Sequence, residues 1–193
     1  MSILSSFSRR DLLVKGSKLS VASFGLLAGL STKALAAEPD TNPTAQDIDV
    51  LNVILGTEHE GIATYQICME RGLLHKDTTT TARLFQDHHK KHRDILIDHV
   101  RQLGGLPVVA KASNDYVDDL NLNKLKTQTD ALTLILRLER SAANAYIGMI
   151  PSTNDHELIK VSTRIAADEV IHWTTLSSIL RLPLPPQALT FGA

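Results

Sequence analysis

The two halves of the chain repeat one arrangement of glutamate, histidine and tyrosine residues. Residues 58–65 (EHEGIATY) and residues 139–146 (ERSAANAY) both read glutamate, six residues, tyrosine. Residues 89–92 (HKKH) and residues 169–172 (EVIH) both place a histidine three positions after another residue that can bind metal. Two helical hairpins of one design would bring these residues to one level of a shared core.

Apolar residues recur at spacings of three and four in four long segments, which predicts four amphipathic helices. Gly104 and Gly105 end the second segment, and Pro151 stops the third. Residues 106–126 show no clear period and read as a long connection that could hold a short turn of helix. No segment predicts a convincing strand. We therefore expect an all-α, four-helix bundle with a long crossover between helices 2 and 3. The expected helices span about residues 47–74, 79–103, 128–149 and 155–180.

Each predicted helix carries glutamate or histidine in the stripe that should face the core. A buried charge is costly unless it is paired or bound to a metal ion. Residues three apart lie on the same face of a helix, so Glu169 and His172 can both reach an ion between the helices. Mixed carboxylate and imidazole donors suit iron or manganese better than zinc or calcium. The candidate metal ligands are Glu58, His89, His92, Glu139, Glu169 and His172.

In these motifs the chain resembles the ferritin-like superfamily of di-iron and di-manganese carboxylate proteins, in particular its exported bacterial members. The resemblance covers about residues 47–180. The family pattern is one glutamate on each of helices 1 and 3, and Glu-x-x-His on each of helices 2 and 4. It implies a ferritin-like bundle in which Glu169 bridges and two other glutamates are terminal ligands. The matching positions are Glu58, Glu139, Glu169, His92 and His172.

The chain departs from the family pattern at His89, where the family has a glutamate that commonly bridges two metal ions. The replacement leaves three carboxylates against the four positive charges of two divalent ions. We therefore expect a weaker second position, a water or hydroxide bridge through Glu169 alone, or a single ion. Asp87 cannot take over, because two residues away on a helix it points off that face. The expected cofactor is iron or manganese, as one or two ions.

Two tyrosines lie one heptad after the glutamates of helices 1 and 3. Tyr65 and Tyr146 could form hydrogen bonds or transfer electrons next to the metal, or could pack in the core with a bonded hydroxyl. The six candidate ligands as a set could also form buried salt bridges without metal. His88 lies off the stripe and is expected at the surface, and His59 is expected to be exposed or near a helix end.

The first 36 residues are expected to form an export signal outside the bundle. Residues 8–13 (SRRDLL) resemble the twin-arginine signal, and residues 34–36 (ALA) form a small-x-small cleavage pattern after an apolar stretch. This signal predicts a periplasmic or otherwise exported protein. Twin-arginine substrates are exported already folded. The expected domains are a signal peptide over 1–36, a linker over 37–46, the bundle over 47–182 and an irregular, proline-rich tail over 183–193.

Charge and composition exclude several other classes of protein. The leader holds five of the 20 basic residues and one of the 21 acidic residues, which leaves 15 basic and 20 acidic residues after cleavage. This acidic balance argues against nucleic-acid binding. The single cysteine, Cys68, excludes an internal disulfide. No segment of membrane-spanning length remains after cleavage. A second copy of the chain, as a homodimer, is a possible partner, and no sequence feature specifies a storage cage.

Two functions follow as expectations. The first is an exported ferritin-like metal-binding protein with redox chemistry of the oxidase, peroxidase or ferroxidase type. Its small substrates would be O₂, peroxide or Fe²⁺. The second is a non-catalytic metal-binding or stress-related protein with a degenerate or empty site. A fold alone does not choose between them, so whether the protein is an enzyme stays open.

Overall fold

The computed structural model describes residues 43–153 and 155–192, and within these ranges it contains helices and no strand. The predicted all-α bundle with a long central crossover is confirmed. The predicted signal peptide and most of the predicted linker lie outside the described residues. The helices are α1 Pro43–Glu70, α2 Lys76–Gln102, α3 Ser113–Asp119, α4 Gln128–Met149 and α5 His156–Ile179, with 3-10 turns at Leu122–Lys124 and Ile150–Ser152.

The four long helices form two hairpins that pack against each other. Helix α1 packs along α2, and α4 packs along α5. The main contact between the hairpins is made by α1 and α4, whereas α2 and α5 meet at fewer points. The repeated motifs therefore face each other across the bundle, one hairpin opposite the other.

Helix α1 is shifted relative to the sequence prediction. It begins at Pro43, inside the segment predicted as a linker, so residues 43–46 are helical. A proline suits the first position of a helix because the N–H group that it lacks would have no partner there. The helix ends at Glu70 rather than near residue 74, because Gly72 adopts a positive φ of 65° and terminates it.

The central crossover lies against α1 and contains α3 and a 3-10 turn, where the sequence allowed a short turn of helix. Asn52 donates from Nδ2 to the carbonyl of Leu106 at 3.0 Å and accepts from the N–H of Val108 at 2.8 Å. His59 Nε2 lies 3.1 Å from the carbonyl oxygen of Val108. The expectation that His59 is exposed or near a helix end is therefore wrong, because it lies well inside α1 and the crossover covers it.

Two of the three apolar clusters in the described core lie one after the other along the bundle axis. One cluster includes Leu51, Ile54 and Leu55 from the first half of α1, and the other includes Tyr65 and Cys68 from its second half. The level between them on α1 is that of Glu58 and Gly61. The polar residues of the repeated motifs therefore lie between two apolar clusters, which keep bulk water away from them. Among residues 43–153 and 155–192, no helix is long and apolar enough to cross a membrane.

Helix α4, which carries one of the repeated glutamates, depends on a capping box. Thr127 accepts from the N–H of Asp130, and the Asp130 side chain accepts from the N–H of Thr127. We predict that Thr127→Ala lowers the free energy of unfolding by about 1 kcal/mol, because an N–H group at the start of the helix loses its partner. Urea denaturation measures this, with Thr129→Ala on the same turn as control. Equal effects of the two substitutions would show that the cap does not stabilise α4.

Candidate metal centre

All six candidate ligands predicted from the sequence converge in the core. Their side chains come from α1, α2, α4 and α5, and every one is buried. The exposed fractions range from 0% to 4%, so none of the six is a surface residue. Their role as ligands stays a prediction, but the structure brings them together as the motifs require. The residues are Glu58, His89, His92, Glu139, Glu169 and His172.

Within the described residues, the six side chains form two overlapping groups of four donors. In each group the ligand atoms all lie within 4.8 Å of one another. His89 and Glu169 belong to both groups. The His92 group consists of Glu58, His89, His92 and Glu169. The His172 group consists of His89, Glu139, Glu169 and His172.

The His89 ring lies at the centre, between the glutamates of α1 and α4. Its Nδ1 is 2.7 Å from Glu58 Oε2, and its Nε2 is 3.3 Å from Glu139 Oε1. Gly61 of α1 faces this ring so closely that a β-carbon there would lie 3.4 Å from Nδ1. The small residue on α1 thus leaves room for an imidazole where the family pattern has a glutamate.

The two tyrosines cross between the hairpins. Tyr65 of α1 donates its hydroxyl hydrogen to Glu139 of α4, and Tyr146 of α4 donates to Glu58 of α1. Burial and the neighbouring Glu139 raise the pKa of Tyr65 well above its ordinary value, so the phenol keeps its proton as a donor. The repeated spacing from glutamate to tyrosine therefore has a physical cause, since each tyrosine orients the glutamate of the other hairpin. Both hydroxyls are therefore hydrogen-bonded, as both alternatives require, and a role of the tyrosines next to a metal stays a prediction.

Each outward-facing histidine nitrogen has a partner that the sequence reasoning missed. His92 Nε2 lies 3.2 Å from Asp168 Oδ2. His172 Nε2 lies 3.0 Å from His88 Nδ1. His88, expected at the surface rather than among the ligands, is partly exposed and belongs to neither donor group, but its ring stacks on that of His172. Each partner stands one position before the first ligand of its own helix, so extending the motif comparison by one residue would have found both.

Mutual electrostatics hold several of these groups in charged form despite burial. Burial raises the pKa of Glu58, but the imidazoles of His89 and His92 outweigh it and lower that pKa to about 2. Burial lowers the pKa of His92, but the carboxylates of Glu169 and Glu58 raise it to about 10. Burial also raises the pKa of Glu169, and His89 offsets only part of that effect. The cluster therefore combines ion pairs with one carboxylate, that of Glu169, whose negative charge is only partly balanced by its neighbours.

Unpaired polar atoms in the cluster show that this donor set fits a metal ion. His92 Nδ1 and both carboxylate oxygens of Glu169 are buried without a hydrogen-bond partner. His92 Nδ1 and Glu169 Oε1, 3.0 Å apart, form an ion pair when the imidazole is protonated, but their geometry is not that of a hydrogen bond. Burying a polar atom without a partner costs about 1–3 kcal/mol. A cation between these atoms would satisfy all three, and carboxylate and imidazole are suitable donors for it.

Comparison with known proteins identifies the family. A family model described as the ferritin-like domain matches residues 46–182, which is most of the chain. The chain belongs to the ferritin-like domain family. The crystal structure of a conserved hypothetical protein from Mycobacterium tuberculosis superposes with a TM-score of 0.65 at 18% identity, covering 77% of this chain and 99% of that one. This likeness shows the shared fold. The search of curated proteins found no match.

The family assignment confirms the resemblance inferred from the repeated motifs. The ferritin-like domain here contains a buried glutamate and histidine cluster that is compatible with metal binding. His89 remains the departure from the family pattern, and it occupies the middle of the cluster rather than its edge.

The crossed tyrosine bonds generate a prediction about stability. Tyr146→Phe should lower the free energy of unfolding of chelator-treated protein by about 2 kcal/mol, because a buried carboxylate loses a donor. Tyr116→Phe is the matched control, since its hydroxyl accepts only a backbone N–H, from Lys111. Its expected loss is about 1 kcal/mol. Chemical denaturation of both variants measures the difference, and equal losses would contradict a special role for the bond to Glu58.

Proposed function

We propose that this protein is an exported ferritin-like metalloprotein that binds iron or manganese in its bundle core and uses the ion for redox chemistry. The observation that carries the proposal is a set of buried atoms that could bind a metal and have no hydrogen bond. They are Nδ1 of His92 and both carboxylate oxygens of Glu169, and they lie between two apolar clusters. Natural proteins rarely keep such atoms buried unless a ligand pairs with them.

The donor chemistry favours iron or manganese. The two groups offer carboxylate oxygens and imidazole nitrogens. The only cysteine, Cys68, is buried in an apolar cluster and belongs to neither group. Soft thiolate sites favour zinc or copper, whereas mixed oxygen and nitrogen sites suit iron and manganese. Both metals change oxidation state readily, which zinc does not.

The residues around the centre have separable tasks. An iron or manganese ion supplies a one-electron couple and Lewis acidity. Glu169 and His92 contribute the unpaired donors that would hold it. Tyr65 and Tyr146 fix the orientation of the two glutamates on α1 and α4. The apolar clusters exclude bulk water, which strengthens electrostatic interactions within the site.

The substrates proposed are small and the proposed location is outside the cytoplasm. The proposed substrates are O₂, peroxide and Fe²⁺, and the proposed point of entry is beside Asp168, whose side chain is 46% exposed and lies 3.2 Å from His92. The twin-arginine pattern of residues 8–13 supports export, with delivery to the periplasm or beyond.

A second candidate function is metal binding or a stress-related role without turnover. The observation that favours it is the position of His89, whose two nitrogens approach the carboxylates of Glu58 and Glu139. An imidazolium there supplies part of the positive charge that a second ion would bring. Such a centre binds fewer ions and has fewer open coordination positions for a substrate.

Metal content and reactivity distinguish the two candidates. We expect the exported protein, or chelator-treated protein loaded anaerobically with Fe²⁺ or Mn²⁺, to retain metal through gel filtration. Glu169→Gln should abolish retention because Glu169 belongs to both donor groups, while Glu157→Gln at the exposed start of α5 should not. Stopped-flow mixing with peroxide or O₂ then tests turnover. Retained but unreactive metal would favour the second candidate. The absence of metal in every preparation would refute the first candidate and leave only a stress-related role with an empty site.

The affinity for the metal ion should rise with pH. The pKa of His92 is raised to about 10, so at neutral pH a proton occupies the imidazole that would bind the ion. Binding therefore releases protons, and affinity should rise by up to about tenfold per pH unit for each proton released. Mn²⁺ titrations between about pH 6 and about pH 8 measure this. An affinity that stays constant or falls with rising pH would contradict histidine ligation.

A further inference from the structure

We propose that the centre is asymmetric and that its ion binds in the His92 group, while the His172 group is completed by hydrogen bonds and takes no ion. This inference rests on the proposed function, since it concerns where a metal ion binds once the core holds one. The two groups are related by the sequence repeat, so the asymmetry must come from residues in which the two halves differ.

The first difference lies in the outer partners of the two histidines. Asp168 presents a carboxylate to Nε2 of His92, and a carboxylate accepts hydrogen bonds but does not donate them. The proton of a neutral His92 is therefore held on Nε2, which leaves a lone pair on Nδ1. That Nδ1 faces the core and has no hydrogen-bond partner there. A carboxylate behind a histidine is the usual arrangement for orienting a metal ligand.

The equivalent histidine of the other hairpin, His172, is not held in one tautomer by its outer partner. The outer partner of His172 is His88, and an imidazole can either donate or accept a hydrogen bond. The inward nitrogen of His172, Nδ1, already lies 3.2 Å from Glu139 Oε2 and forms a hydrogen bond with it. With Nδ1 donating to Glu139, the Nε2 lone pair of His172 accepts from His88. Every nitrogen of this pair that faces the core is then satisfied without an ion.

The second difference lies in the glutamates. Glu139 is close to three donors, namely the Tyr65 hydroxyl, His89 Nε2 and His172 Nδ1, so neither of its oxygens is unpaired. Neither oxygen of Glu169 has a hydrogen bond; Oε1 lies 3.0 Å from His92 Nδ1, and Oε2 lies 3.6 Å from His172 Nδ1. Two of the three cluster atoms without a hydrogen bond, His92 Nδ1 and Glu169 Oε1, therefore lie on the side of the His92 group.

The ring of His89 completes the assignment. In this structure His89 Nδ1 forms a hydrogen bond with Glu58 Oε2 at 2.7 Å and lies 3.7 Å from Glu169 Oε1. An ion bound in the His92 group would replace the proton on Nδ1, while the Nε2 hydrogen would be donated to Glu139. One divalent ion then meets two carboxylates, those of Glu58 and Glu169, and two imidazole nitrogens. Its charge is balanced, and Glu139 keeps its three donors. The residue that replaces the family glutamate thus acts as a ligand on one side and a hydrogen-bond donor on the other.

The repeat supplies a matched pair of variants that tests this asymmetry. His92→Asn and His172→Asn change equivalent positions, and an asparagine at 172 keeps a donor for Glu139. We expect the unmodified protein to bind one Mn²⁺ per chain in calorimetry, elemental analysis and electron paramagnetic resonance. His92→Asn should weaken binding by about a hundredfold or more, and His172→Asn by less than about threefold. Circular dichroism and thermal melts confirm that both variants fold.

Substitutions at Asp168 and His88 form a second pair, which keeps the test decisive if a core variant fails to fold. Both of these residues are only partly buried. Asp168→Ala should weaken Mn²⁺ binding by about tenfold or more, since His92 loses the acceptor that orients it. His88→Ala should change the affinity by less than about threefold. Two ions per chain, or losses that are equal or reversed within either pair, would overturn the asymmetry while leaving metal binding intact. Failure of the unmodified protein to bind any ion would instead refute the proposed function, and the asymmetry with it.

Discussion

The burial of three carboxylates and three imidazoles at one level of the bundle is the constraint on which the rest of the structure depends. Such groups are tolerated in a core only when each finds an opposite charge, a hydrogen bond or a cation. The crossed tyrosine bonds and the outer partners of the two histidines each satisfy part of this requirement. The atoms left unpaired, on His92 and Glu169, are those that a metal ion would satisfy.

Much of the fold could be predicted because its signals are local or repeated. The apolar periodicity placed the four long helices, and charged residues within the stripes identified all six members of the cluster. The start of α1 was misplaced, because Pro43 reads equally well as part of a linker or as the first residue of a helix. The burial of His59 could not be predicted, since it depends on where a crossover with no clear period lies against α1.

The hydrogen-bond partners inside the cluster could not be predicted from the sequence, for a different reason. A repeat shows which positions are equivalent, but not which atom faces which. That Tyr65 reaches the glutamate of α4, and not the one on its own helix, depends on the packing of the two hairpins. The sequence shows that Asp168 and His88 differ. Only the structure shows that each one contacts the outer nitrogen of a histidine in the cluster. Equivalent positions therefore acquire different chemistry through a single neighbouring residue.

Anomalous diffraction from crystals of Mn²⁺-loaded protein tests the central claim most directly. The data are collected on both sides of the manganese absorption edge, so that only manganese changes its signal. The structure predicts one strong peak in the core, bordered by Glu58, His92 and Glu169, with Tyr65 still bonded to Glu139 on the opposite side. A core without any manganese peak, in protein loaded to saturation, would contradict the view that this cluster is a metal centre.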